Sequence, residues 1–150
     1  MPNSWVCVDA NVVIKLVVEE VYSSEVRSLW HGWVQTGMDI AAPALLRYEV
    51  TSVLRKQVTR GLRTNAESLQ ALKQALAFEI NYLEPPNFHQ RAYDLAERFN
   101  RPATYDTHYL ALAEYLDCEF WTADERLVNT VHHALSWVKW IGKRDNPTHQ

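Results

Sequence analysis

Glycine is scarce in this chain. Four residues in 150, at positions 32, 37, 61 and 142, leave no glycine-rich phosphate loop, which disfavours nucleotide-cofactor enzymes. Six prolines form no tract, so collagen-like and linker-like material is excluded. The two cysteines, Cys7 and Cys118, belong to no C-x-x-C pair, and reduced, buried thiols are expected. No apolar run approaches the ~20 residues of a membrane span, because Lys15 stops the one that starts at Val12. Asp9 falls where a signal peptide would carry its apolar stretch, so a cytoplasmic protein is expected. Basic charge is not in excess either: 15 Lys and Arg stand against 18 Asp and Glu, a net charge of -3. Any nucleic-acid binding must then come from a local patch or through bound cations.

What the chain does have is material for a core. Hydrophobic residues make up 47%, with six Trp and seven Tyr, which rules out disorder. A chain of this size is expected to fold as one domain, over residues 1–142, with a loose polar tail at 143–150.

Short apolar runs alternate with helix-period stretches. Strands are expected at Trp5 to Val8, Asp39 to Ala42, Ile80 to Leu83, Glu119 to Thr122 and Trp137 to Ile141. Between them the spacing predicts helices over Asn11 to Val18, Val21 to Thr36, Ala44 to Arg60 and Thr64 to Phe78. Three more are expected over Phe88 to Phe99, Asp106 to Leu116 and from Asp124 to about His133. Thr64-Asn65-Ala66-Glu67 and Thr122-Ala123-Asp124-Glu125 both read as capping boxes. Strands separated by helices imply an α/β domain with a mainly parallel central sheet of about five strands.

In such units strands end and helices begin at one edge of the sheet, and ligands bind there. Asp9 ends the first strand, Asp124 follows the fourth, Asp106 opens the helix before it, and Glu49 lies early in the helix after the second. Four carboxylates from separate segments therefore converge. Glu49 shares a helix face with Leu46 and Val53, and Asp106 shares one with Leu110 and Ala113. A carboxylate turned toward an apolar layer needs a partner or a cation. Clustered carboxylates need protons or cations to relieve their repulsion, and hard oxygen ligands suit Mg²⁺ or Mn²⁺. Taken singly, each acid has a structural reading: Asp106 and Asp124 as helix caps, Asp9 as a turn residue, Glu49 paired with Arg47 or Arg91.

Four stretches carry a resemblance. Val8-Asp9-Ala10-Asn11, Arg47-Tyr48-Glu49-Val50, Tyr105-Asp106-Thr107-His108-Tyr109-Leu110-Ala111-Leu112-Ala113 and Thr122-Ala123-Asp124-Glu125-Arg126-Leu127 resemble, in order and spacing, the signature of PIN domains. Within that family the likeness is to VapC-type toxins of toxin–antitoxin pairs. The resemblance implies a three-layer α/β/α fold and a Mg²⁺- or Mn²⁺-dependent endoribonuclease, a hydrolase that leaves 5′-phosphate and 3′-hydroxyl ends. Asp9, Glu49, Asp106 and Asp124 match the acidic quartet, with Asn11 and Thr122 as supporting polar residues. Thr107 stands where the family often has Ala. The same likeness implies a cognate antitoxin and a homodimer.

For RNA contacts the candidates are Lys15 and Arg126 near the acidic edge, and Arg55 and Arg60 in a basic stretch with Lys56 and Arg63. The six histidines form no H-x-H or H-E-x-x-H pattern, so no histidine metal ligand is expected. Trp30 and Trp33 read as core or as a partner groove. A haloacid-dehalogenase-like phosphatase would need Asp at position 11, where Asn11 stands. A phospho-receiver domain would need an acid pair that Cys7-Val8-Asp9 lacks. The remaining alternative is a catalytically inactive PIN-like module that binds RNA or protein.

Overall fold

The computed structural model describes residues 4–142. Positions 143–150, expected from the sequence to be a tail, lie outside the described residues. Along the chain come β1 (Trp5–Val8), α1 (Ala10–Val17), α2 (Ser23–Gln35), β2 (Asp39–Ala42), α3 (Leu45–Thr59) and α4 (Asn65–Ala77). Then follow β3 (Asn81–Tyr82), α5 (Phe88–Arg98), α6 (Tyr105–Leu116), β4 (Glu119–Thr122), α7 (Glu125–Val131) and β5 (Val138–Trp140).

The five strands form one sheet in the order β3-β2-β1-β4-β5, and every pairing is parallel. Val6, Cys7 and Val8 of the central strand are all buried, as a strand covered on both faces must be. Crossovers between parallel strands are right-handed. The chain first travels outward from β1 through β2 to β3, then reverses to β4 and β5, and the reversal puts the later helices on the opposite face. Accordingly α1 packs against α2, α3 and α4, while α5 packs on α6, which lies against β1 and β4. The result is a three-layer α/β/α domain. Its core runs through Ile14, Leu46, Leu110, Leu112 and Phe120, all essentially inaccessible to solvent. No helix among the described residues is long and apolar enough to cross a membrane.

Local signals decide where the helices stop and start. Gly61 takes a φ of +73° just past α3, a conformation that an L side chain resists. The Thr64–Glu67 capping box is formed, with both reciprocal hydrogen bonds in place. The second expected capping box is not. Asp124, not Thr122, is the N-cap of α7, and its side chain accepts from the Leu127 N–H. The Thr122 hydroxyl is engaged elsewhere, as described below. Cys7 and Cys118 are buried free thiols with their sulfurs 3.7 Å apart. Trp33 is buried and lies beside Trp121, and Trp30 lies on Phe78, so this pair faces inward.

Reversal of chain travel makes the gap between β1 and β4 a topological switch point. The two loops leaving these strands go to opposite faces and open a crevice at the carboxyl edge, the usual place for a ligand in open α/β sheets.

Candidate active site

Asp9 stands at that switch point. It follows β1, caps α1 and is half-buried, with Oδ1 accepting the Val12 N–H at 3.0 Å. Across the crevice, the buried Thr122 at the end of β4 donates its hydroxyl to Asp9 Oδ2 at 2.5 Å. The same hydroxyl oxygen accepts the Asp124 N–H at 3.0 Å. One side chain thus ties the ends of β1 and β4 together and sets the loop that carries Asp124.

Glu49 enters from α3. It is half-buried and receives the Tyr109 hydroxyl on Oε1 at 2.5 Å. Tyr109, on α6, is itself buried and stacked on Phe120, with ring centroids 5.6 Å apart. Asp106, one turn earlier on α6, is held by Arg101 through a 2.8 Å ion pair.

Neighbouring carboxylates act on Asp9 and on Glu49. Burial pushes the Asp9 carboxyl up from 3.8 to about 6; the Thr122 and Val12 hydrogen bonds oppose this, and the Glu49 charge adds to it. Glu49 is also raised, chiefly by burial and further by the Asp106 charge, against the Tyr109 hydrogen bond. The Tyr109 hydroxyl is pushed far up by burial and by Glu49, so it remains a proton donor. Asp9 thus feels the charge of Glu49, and Glu49 that of Asp106, across a strand end and two helices.

Such a site calls for positive charge. Its donors are carboxylate and hydroxyl oxygens, a hard set that fits Mg²⁺ or Mn²⁺ and not a soft metal. Among the described residues no group of three or more His, Cys, Asp or Glu side chains is gathered closely enough to hold a metal ion.

The other sequence candidates are placed as follows. Asn11 lies exposed in the first turn of α1. Lys15 lies near the end of α1, about 9 Å along the axis from the cap, with its ammonium 3.1 Å from Glu20 Oε1. Arg126 is exposed at the start of α7, beside Asp124. Arg55 and Arg60 are exposed about 9 and 16 Å beyond Glu49 along α3, with Arg60 at its C-cap. The possible partners of Glu49 are occupied elsewhere: Arg91 makes a two-pronged pair with Glu114, and Arg47 lies over the Tyr82 ring.

The sequence reading did not single out Tyr109 or Arg101. Tyr109 is three residues after Asp106 and so on its face of the helix, which was the available signal. Arg101, in the loop before α6, carried none.

The family profile of the PIN domain matches residues 6–132, most of the chain. The chain belongs to the PIN-domain family. The match runs from β1 into the residue after α7, so it spans every acid of the site; only β5 lies beyond it. The PIN domain is a nuclease fold. A comparison with curated proteins gave no match.

Proposed function

We propose that this PIN-domain protein is a metal-dependent endoribonuclease and the toxin of a VapBC-type toxin–antitoxin pair. The observation that carries the nuclease reading is the coupling of Asp9, Glu49 and Asp106 at the β1/β4 switch point. Burial, with the Glu49 charge beside Asp9 and the Asp106 charge beside Glu49, holds the Asp9 and Glu49 protons on unless a cation takes their place.

In this reading Asp9, Glu49, Asp106 and Asp124 hold Mg²⁺ or Mn²⁺. When bound, such an ion activates water as the nucleophile and offsets the negative charge that develops on the leaving oxygen. Thr122 fixes the rotamer of Asp9 and the loop before Asp124. Tyr109 aims Glu49 by donating to one carboxylate oxygen, leaving the other free. Asn11 lies on the exposed side of α1, available to a polar group of the substrate. Attack by water and not by the RNA 2′-hydroxyl leaves a 5′-phosphate and a 3′-hydroxyl.

Arg126, two residues after Asp124, contacts a phosphate beside the cut. Arg55 and Arg60 carry the RNA backbone along α3, and Lys15 contributes when it leaves Glu20. A cognate antitoxin that covers the site, a homodimer and a cytoplasmic setting complete the reading, on the strength of the VapC likeness in the four acidic stretches.

Inducible expression of the wild type and of Asp9→Asn in a bacterium, with sequencing of RNA ends, tests it. The expected result is growth arrest and new 5′-phosphate ends with the wild type only. Equal RNA ends in both strains, together with no cleavage by the purified protein in Mn²⁺, would favour the catalytically inactive binding module instead.

A further inference from the structure

We propose that the cavity lined by α2, α7, β4 and β5 is a subsite for one unpaired base of single-stranded RNA; this rests on the nuclease reading and extends it from the cut to the sequence around the cut. The cavity has a volume of about 880 Å³, within the usual range for a small-molecule site. Two of its lining residues join it to the acidic edge through the chain itself. Trp121 immediately precedes Thr122, and Glu125 immediately follows Asp124.

Trp140, on the wall of this cavity, carries an unanswered donor. Its indole N–H is buried without an acceptor, one of two such side-chain groups among the described residues, the other being the Ser68 hydroxyl. Native folds pair nearly all their buried polar groups, and an exception calls for a partner that arrives from outside. The ring is also held in place. Tyr22 meets it edge-on at 5.6 Å, and Gly142 lies so close that a Cβ there would fall 2.6 Å from the ring. Tight packing against a glycine thus fixes a flat aromatic surface, and the donor on it, before any ligand binds.

The chemistry of the lining favours a base as the occupant. Trp121, Trp140 and Leu29 offer aromatic and apolar surface, on which any base can stack. A base edge carries an acceptor for the Trp140 N–H and an N–H for a carboxylate such as Glu125.

Charge then divides the nucleotide. Glu25 and Glu125 line the cavity against a single Lys139, which suits an uncharged base and repels a phosphate. The phosphate stays outside, where Arg126 is exposed one residue after Glu125. A base can enter such a cavity only when unpaired and unstacked, so the subsite selects single strands over duplex.

The test is NMR of the full chain in chelator, following the indole N–H signals of the six Trp. Trp140→Phe identifies the Trp140 signal by its loss. The probes are the four ribonucleosides, with ribose alone as the control. The expected result is a saturable shift of the Trp140 signal with at least one nucleoside and none with ribose. Asn129→Trp, which fills the cavity from an exposed position on α7, should abolish the shift at an unchanged melting temperature. Trp140→Phe should weaken binding, read from the Trp121 signal, about threefold or more. A Trp140 signal unmoved by all four nucleosides, moved equally by ribose, or moved as before in Asn129→Trp would overturn the subsite and leave the cavity to a protein partner. No metal and no cleavage enter this test, so its failure leaves the nuclease reading to the RNA-end experiment above.

Discussion

Thr122 and Asp9 are 113 residues apart in sequence, yet the Thr122 hydroxyl donates to Asp9 Oδ2 while its oxygen accepts the Asp124 N–H. This one side chain joins the ends of two neighbouring strands to the start of α7. Thr122→Val keeps the shape and removes both hydrogen bonds. It should cost about 1–3 kcal/mol, the range for leaving a buried polar group short of a partner. Thr122→Ser should recover most of that. Urea unfolding of the three proteins at neutral pH measures it.

Asp9 sets a pH dependence with an unusual sign for a carboxylate. Its folded pKa is raised from 3.8 to about 6, so between these values the folded protein holds a proton that the unfolded chain releases. Stability from this group is full below pH 3.8 and is lost as pH rises through 6, by about 3 kcal/mol in all. Glu49, also raised, adds in the same direction. In chelator, the wild type should therefore lose stability across this window relative to Asp9→Asn, whose amide does not titrate. Denaturant midpoints at a series of pH values report the difference.

Tyr109→Phe isolates the hydroxyl that aims Glu49. The ring and its stacking on Phe120 are kept, so the loss of stability should be modest, about 1 kcal/mol. Without the donor, the Glu49 carboxyl should rise further, and Mn²⁺ affinity at neutral pH should fall several-fold. Electron paramagnetic resonance of free Mn²⁺ reads the affinity, and thermal melting in chelator reads the stability.

Arg101 competes for the same acid that a cation would use. Its guanidinium lies 2.8 Å from Asp106 Oδ2 and supplies positive charge at the rim of the site. The pair is partly solvent-exposed, so Arg101→Ala should change stability by less than about 1 kcal/mol. Mn²⁺ affinity should rise, because Asp106 is released and a repelling charge is gone. A fall in affinity would assign Arg101 a supporting role in place of a competing one.

Much of this architecture is readable from local pattern. Trp5 to Val8 is a β-branched and aromatic run that ends on an acid, and Thr64 with Glu67 announces a helix start; neither depends on distant contacts. The acids at strand ends and in the first turns of helices follow from the same local logic. Pairings made by packing are another matter. Tyr109 finds Glu49, and His89 finds His108, because helices meet at a particular rotation, which no spacing along the chain encodes. Thr122 shows the opposite failure. Its capping-box pattern is sound locally, but Asp9 is the stronger partner once β4 lies beside β1.

The proposed function requires that Asp9, Glu49, Asp106 and Asp124 hold a cation between them. Anomalous diffraction from a crystal soaked in Mn²⁺ tests it most directly. The expected result is a peak between the carboxylates at the ends of β1 and β4, absent in Asp9→Asn. A crystal with no peak there, while the acids keep their protons and hydroxyl partners, would contradict it.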